Sequence, residues 1–263
     1  MATTIAVLSQ KGGTGKTTTV RTLADVFGRV GLDVLAVDLD PQANLSDYFD
    51  VPADAAPTVA DVLDGRARAV DAITNGVLPA NLGLAESELV LSGKMGREMT
   101  LKRALREPKR RHDVILIDCP PSLGLLTVNA LVAADYALLS TEAQYFSLQG
   151  VEQALELLDL ARDSLHPDIE WLGVVLNIAD LRTIHSREAL DQLRERFDEK
   201  VFETVIRQSI RYAESAERGV SIIDYRPELG ADYVALAEEV LDRVGLDAER
   251  DRVARLRSEL LAA

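Results

Sequence analysis

The chain has 263 residues, 47% of them apolar and 27% charged, a composition that fits a soluble globular protein with room for one large core. Its net charge of −14 argues against a protein coated in nucleic acid, because phosphate contacts need cations. A single cysteine, Cys119, excludes an internal disulfide and a multi-cysteine metal centre, and predicts a reducing, cytoplasmic setting.

In chain order, residues 3–8 form an apolar run that ends at a glycine-rich loop, SQKGGTGKTTT, over 9–19. Residues 16–31 follow with Val20, Leu23, Val26 and Phe27 at helical spacing. DVLAVDLD at 33–40 is a second strand, and 50–80, rich in Ala, Asp and Pro, reads as short helices and loops over one sheet edge. Further strands are predicted at 113–118, 136–141, 171–177 and 201–206, separated by amphipathic helices at 147–162, 186–197 and 230–244. Near-continuous apolar strands alternating with helices predict an α/β fold: a doubly wound, mostly parallel sheet with helices on both faces. No linker divides the chain, so 1–245 reads as one domain and 246–263 as a C-terminal helical tail.

Chemistry concentrates at GTGKTT. A loop between a strand and a helix N-terminus turns successive backbone N–H groups toward one point, which suits phosphate oxygens. Gly12, Gly13 and Gly15 let the backbone approach, with Thr14 and Thr18 completing the loop. Lys16 is placed for the β- and γ-phosphates and the Thr17 hydroxyl for Mg²⁺. Asp38, Asp40 and Asp118 stand at strand ends and converge on this loop; Asp38 is assigned to magnesium or to switch geometry, and Asp118 to Mg²⁺ through water. Cys119 has no legible base beside it and reads as a buried, inert thiol.

The loop has Gln10 where the general phosphate-loop pattern has its first glycine, and it carries an extra lysine, Lys11, five residues before Lys16. KGGTGKT resembles the deviant Walker A motif of the ParA/MinD family of P-loop ATPases. VDLDPQANLS (37–46) and ILIDCPPSLG (115–124) resemble that family's switch I and Walker B segments. YFSLQG (145–150) and ETVIRQSIRYAESAERG (203–219) resemble its later blocks. Within the family the match is most similar to the partition ATPases of the ParA/Soj type.

That resemblance implies an ATP- and Mg²⁺-dependent ATPase that dimerises on ATP, with Lys11 reaching the nucleotide of the partner subunit. It implies Asp40 as the residue orienting the attacking water, and Asn177 as an adenine contact. Arg207 stands where the family's IPR block has proline, and an arginine can stack on the base. Two more departures stand at Ala216, where the family's SEAP block has proline, and at 140–150, where PxQxEYFALEG reads STEAQYFSLQG.

The resemblance further implies non-specific DNA binding by the dimer, a ParB-like stimulating adaptor and association with the nucleoid. Residues 182–226, with nine basic and nine acidic side chains, supply the candidates Arg187, Arg211 and Arg218, with Arg182 and Arg207 nearby. A second basic cluster, KRALREPKRR at 102–111, reads as the exposed end of a helix. The alternative is a membrane-cycling regulator like MinD. Its anchor would be the tail 246–261, which lacks the Trp or Phe of an interfacial helix. No apolar run approaches the ~20 residues of a spanning helix, and MATTIAVLSQ lacks the basic flank of a secretory leader.

Overall fold

Every pairing between the named strands among the described residues is parallel. The computed structural model describes residues 1–144 and 147–262, with side chains to residue 260. The strands are β1 (Thr3–Leu8), β2 (Val34–Asp38), β3 (Val77–Leu78), β4 (Val114–Asp118), β5 (Tyr136–Glu142), β6 (Glu170–Ala179) and β7 (Val201–Arg207). Their order across the sheet is β3-β2-β4-β1-β5-β6-β7, so β1 lies at the centre. The chain leaves β1 toward β2 on one side and continues through β5 to β7 on the other. The reversal opens a crevice at the C-terminal end of β1, where ligands of doubly wound sheets bind.

Alternation along the strands feeds two cores. Ile115 and Ile117 face one hydrophobic cluster while Val114 and Leu116 face the other. The first core is closed by helices Leu125–Ala133 and Ser147–Ser164, with Val59–Asp64 and Gly83–Ser92 toward the β3 edge. The second is closed by helices Lys16–Arg29 and Pro227–Arg243, where Val20, Leu23, Phe27, Tyr233 and Leu236 are fully buried.

Two expectations change in detail, and the helical tail is as expected. The segment 50–80 holds helices Val59–Asp64 and Ala69–Ala72 but also the edge strand β3, too short to show a period. The helix expected to end at 102–111 is only Thr100–Ala104, followed by a single 3-10 turn, Pro108–Arg110. The tail is helical from Asp247 to Ala262; Val253 is fully buried and Leu246, Leu256 and Leu260 pack against the second core. Its arginines hold it there: Arg252 donates to the Val30 carbonyl at 2.7 Å, and Arg250 pairs with Asp242 at 2.6 Å. Tyr145 and Phe146, from the block at 145–150, lie outside the described residues.

Candidate nucleotide site

The loop between β1 and helix Lys16–Arg29 is shaped by Gly13 and Gly15, both left-handed with φ near +80°. An L side chain is strained at either position, and a Cβ on Gly15 would lie 3.3 Å from the Asn177 side chain. Inside the loop a small hydroxyl network holds the lysine. Ser9 Oγ donates to the Lys11 carbonyl at 2.7 Å and accepts from Thr14 Oγ1 and from Lys16 Nζ, both at 2.9 Å. Lys16 Nζ also donates to the Lys11 carbonyl at 3.2 Å. Burial pulls the Lys16 ammonium below its usual range, opposed chiefly by Asp118.

The Thr17 hydroxyl donates to Asp118 Oδ2 at 2.6 Å, while Asp118 Oδ1 is buried without a hydrogen-bond partner. Asp118 lies directly opposite Asp38 in the β2–β4 register. Burial, then this neighbouring carboxylate, push Asp118 up to about 8. The Thr17 hydroxyl and the unsatisfied Asp118 oxygen are hard donors of the kind Mg²⁺ takes. Among the described residues no group of three or more His, Cys, Asp or Glu can hold a metal.

Of the two roles expected of Asp38, magnesium or switch geometry, its hydrogen bonds bear on the second. Its Oδ1 accepts from the Asp40 backbone N–H at 3.0 Å. Its Oδ2 accepts from the Ser46 N–H at 2.9 Å and the Ser46 hydroxyl at 2.7 Å. Both oxygens accept from the segment 40–46, the arrangement expected of the switch-positioning half of the sequence reading. Burial pushes Asp38 up to about 6 despite these bonds. Asp40 is half-exposed, accepts from the Gln42 N–H at 2.9 Å and faces the crevice.

That crevice is a cleft of about 1080 Å³, large enough for a nucleoside triphosphate. Gly12, Gly13, Gly15, Lys16, Thr17 and Thr18 line one end, with Asp40 beside them and Asn177 and Arg207 further along. Lys11 does not line it. Its residue borders a separate small cavity beside Gln10, Glu142 and Gln144.

Asn177 is fully buried; Nδ2 donates to Ser140 Oγ at 2.7 Å and Thr19 Oγ1 at 3.3 Å, and Oδ1 has no partner. The next residue, Ile178, is left-handed at φ 53°, an outlier for a β-branched side chain that costs about 1–3 kcal/mol. Arg207 is tied by Nε to Asp232 at 2.8 Å and by its other end to the Glu228 carbonyl, so its guanidinium is held at the cleft wall. Sequence reasoning missed Arg21. It is buried on the phosphate-loop helix, donates to the Val220 carbonyl at 2.5 Å and lies over the Tyr48 ring. An arginine among helix residues carries no signal of burial.

Arg187, Arg211 and Arg218 are exposed at the β6–β7 end of the same sheet edge. Arg211 is paired with Glu214 at 2.6 Å, Arg218 lies 4.9 Å from the Tyr225 ring centre, and Arg187 donates to the Leu181 carbonyl at 3.3 Å. Arg182 is held by Asp180 at 2.8 Å. Residues 109–111 of the other basic cluster lead into the N-terminal end of β4, the edge opposite the phosphate loop. Cys119 is fully buried and burial pushes its thiol well above the usual range, as an inert thiol requires.

A family model described as an AAA domain (AAA_31) matches residues 2–171. The sporulation initiation inhibitor protein Soj of Bacillus subtilis is 39% identical over 249 residues, 91% of this chain and 98% of Soj. The chain belongs to the ParA/Soj family of P-loop ATPases. The chromosome partitioning protein ParA of Caulobacter vibrioides is 35% identical over 262 residues, 95% of this chain and 96% of that protein.

Among solved structures, apo McdA of Cyanothece superposes with a TM-score of 0.82 at 25% identity, covering 92% of this chain and all of that one. The septum site-determining protein MinD of Pyrococcus horikoshii, complexed with Mg-ADP, gives 0.76 at 29% identity and covers 94% and 98%. A cobyrinic acid a,c-diamide synthase of Mycobacterium smegmatis with bound ATP analogue and magnesium gives 0.75 at 36%, covering 82% and 93%. The sheet, the phosphate loop and the buried carboxylates of this chain therefore belong to an ATPase of the partition family.

Proposed function

We propose that the chain is an ATP-dependent dimerisation switch that binds ATP with Mg²⁺, holds non-specific DNA as a dimer and is released when a ParB-like adaptor stimulates hydrolysis. Lys16 neutralises the β- and γ-phosphates, Thr17 and Asp118 hold the metal, and Asp40 orients the attacking water. Phosphoryl transfer then rests on positioning and charge stabilisation. The tail helix Asp247–Ala262 belongs to the single domain, packed on its second core.

What supports the switch most is the division of labour between two lysines. Lys16 lies in the cleft, whereas Lys11 borders a different cavity, outside the cleft of its own protomer. A cation so placed serves a nucleotide approached from across a two-fold axis, and loss of the γ-phosphate weakens that attraction. Dimerisation would pair two modest basic patches, so affinity rises through joint engagement and falls steeply with salt. The packed apolar face of the tail favours this nucleoid-associated reading over a membrane-cycling one. No helix among the described residues is long and apolar enough to cross a membrane.

Sedimentation velocity with Mg-ATP tests the switch. Asp40→Ala should accumulate as a dimer that turns over little, Lys16→Ala should bind no nucleotide, and Lys11→Ala should bind nucleotide yet stay monomeric. An undiminished Lys11→Ala dimer would remove the lysine from its role in trans.

A further inference from the structure

We propose that Arg21 is a positioning residue that ties the helix Arg211–Glu217 to the switch segment 40–48, so that nucleotide in the cleft sets how firmly that helix is held. The inference rests on the ATP-switch reading and deepens it by naming the side chain that joins two moving parts.

Arg21 is buried on helix Lys16–Arg29, one turn past Thr17. Burial pulls its guanidinium down to about 9, opposed by Asp25 and Tyr233, and among the described residues no carboxylate hydrogen-bonds to it. A buried cation of this kind must be compensated by other groups. They come from two segments far apart in the chain. Nη2 donates to the Val220 carbonyl at 2.5 Å and lies 3.5 Å from the Ser215 carbonyl, while the guanidinium rests against the face of the Tyr48 ring.

Tyr48 closes the short helix Asn44–Tyr48, in which the Ser46 N–H and hydroxyl both donate to Asp38. Asp38 in turn accepts from the Asp40 N–H. A displacement at Asp40 is therefore carried to the Tyr48 ring through bonds already in place. At the other end, Ser215 belongs to the helix Arg211–Glu217 and Val220 lies just beyond it, past Arg218. That helix has seven residues and buries only Ser215, so little apolar packing fixes it. Tethers hold it instead. Tyr212 packs edge-on against Tyr233, Tyr225 donates to Glu214 at 2.8 Å, and Arg21 takes the carbonyls behind.

Both segments line the same cleft, Tyr48 and Asp50 from one, Ala213 and Ala216 from the other, and Arg21 lines it with them. While the ring covers the guanidinium, its N–H groups stay on the carbonyls. Once the ring moves away, water reaches the cation and competes with those carbonyls for it. One side chain shared by two elements is a physical link, which mere proximity would not be.

Hydrogen exchange read by mass spectrometry tests the tether, on the full-length chain with and without Mg²⁺ and a non-hydrolysable ATP analogue. In wild type the analogue should change exchange at the phosphate loop and also at residues 211–220, the latter by about fivefold or more. Tyr48 is half-buried, so its truncation spares the core. Tyr48→Ala should keep the response at the loop and lose it at 211–220, whereas Tyr48→Phe, which keeps the ring face, should respond as wild type. Arg21→Met, which keeps an apolar stem and drops the charged head, should repeat Tyr48→Ala. Should Arg21→Met fail to fold, the two Tyr48 variants decide.

A full response at 211–220 in Tyr48→Ala overturns the tether alone, because the loop still reports nucleotide in the cleft. A wild type that responds at the loop and not at 211–220 overturns it as well. Absence of any response at the loop overturns the ATP reading and this inference together.

Discussion

Ser46 offers the sharpest measure of how the switch segment is held. Its hydroxyl, almost fully buried, donates to Asp38 Oδ2 at 2.7 Å and accepts from the Ala80 N–H at 2.9 Å. Ser46→Ala deletes one hydrogen bond to a carboxylate, worth about 1.5–3 kcal/mol, and strands a buried N–H at about 1–3 kcal/mol. The Ser46 backbone bond to Asp38 survives, so a net loss of about 3 kcal/mol is expected. For a chain of this size that lowers the thermal midpoint by roughly 6–12 °C. Asp38 also anchors the Asp40 backbone, so the defect should reach catalysis while leaving the phosphate loop alone. The assay pairs thermal unfolding without nucleotide with steady-state ATP hydrolysis. We expect a lower midpoint and a reduced kcat at little-changed KM. A midpoint within a degree of wild type, or a KM defect at full kcat, would refute the clip.

The remaining predictions concern other parts of the molecule. Asp38 and Asp118 have folded pKa values raised to about 6 and about 8, above the ordinary carboxylate range, so the ligand-free fold holds protons that the unfolded chain releases. Stability should therefore be lost as pH rises from about 4 to about 8. Asp118→Asn should flatten that slope in thermal melts and abolish Mg²⁺-dependent protection by nucleotide; an unchanged slope would contradict it. Glu239 accepts from the Glu203 and Thr204 N–H groups at 2.9 and 2.8 Å, covering part of the open edge of β7. Glu239→Ala should expose that edge and produce concentration-dependent association in light scattering, without loss of nucleotide binding. Reversing Arg187 and Arg211 to Glu should remove DNA retention at full ATP affinity. Retention that survives would shift attention to residues 102–111.

Much of this was legible in the chain because local rules govern it. Strand runs, the 3.6-residue spacing after Lys16 and the order strand–glycine loop–helix depend on neighbours in sequence, and they placed the first strand and the helix that follows the loop within a residue or two. That Asp118 ends an apolar strand was legible as well, although a carboxylate at a strand end is also a common surface feature. The edge strand Val77–Leu78 was not, since two residues carry no period and pair only because β2 lies beside them. Arg21 was invisible for the same reason: an arginine in a helix acquires meaning only from carbonyls far away along the chain.

Sequence alone determined the class of chemistry: a glycine-bounded lysine at a helix N-terminus, the doubly wound sheet behind it and the family to which both belong. Tertiary structure decided the roles within that chemistry. It turned Asp38 toward Ser46 and Asp40, left Asp118 Oδ1 without a partner beneath the loop and used up the apolar face of the tail. The reason is valence. Each polar atom has a fixed number of protons and lone pairs, and which partners take them depends on distances that only the packed fold sets.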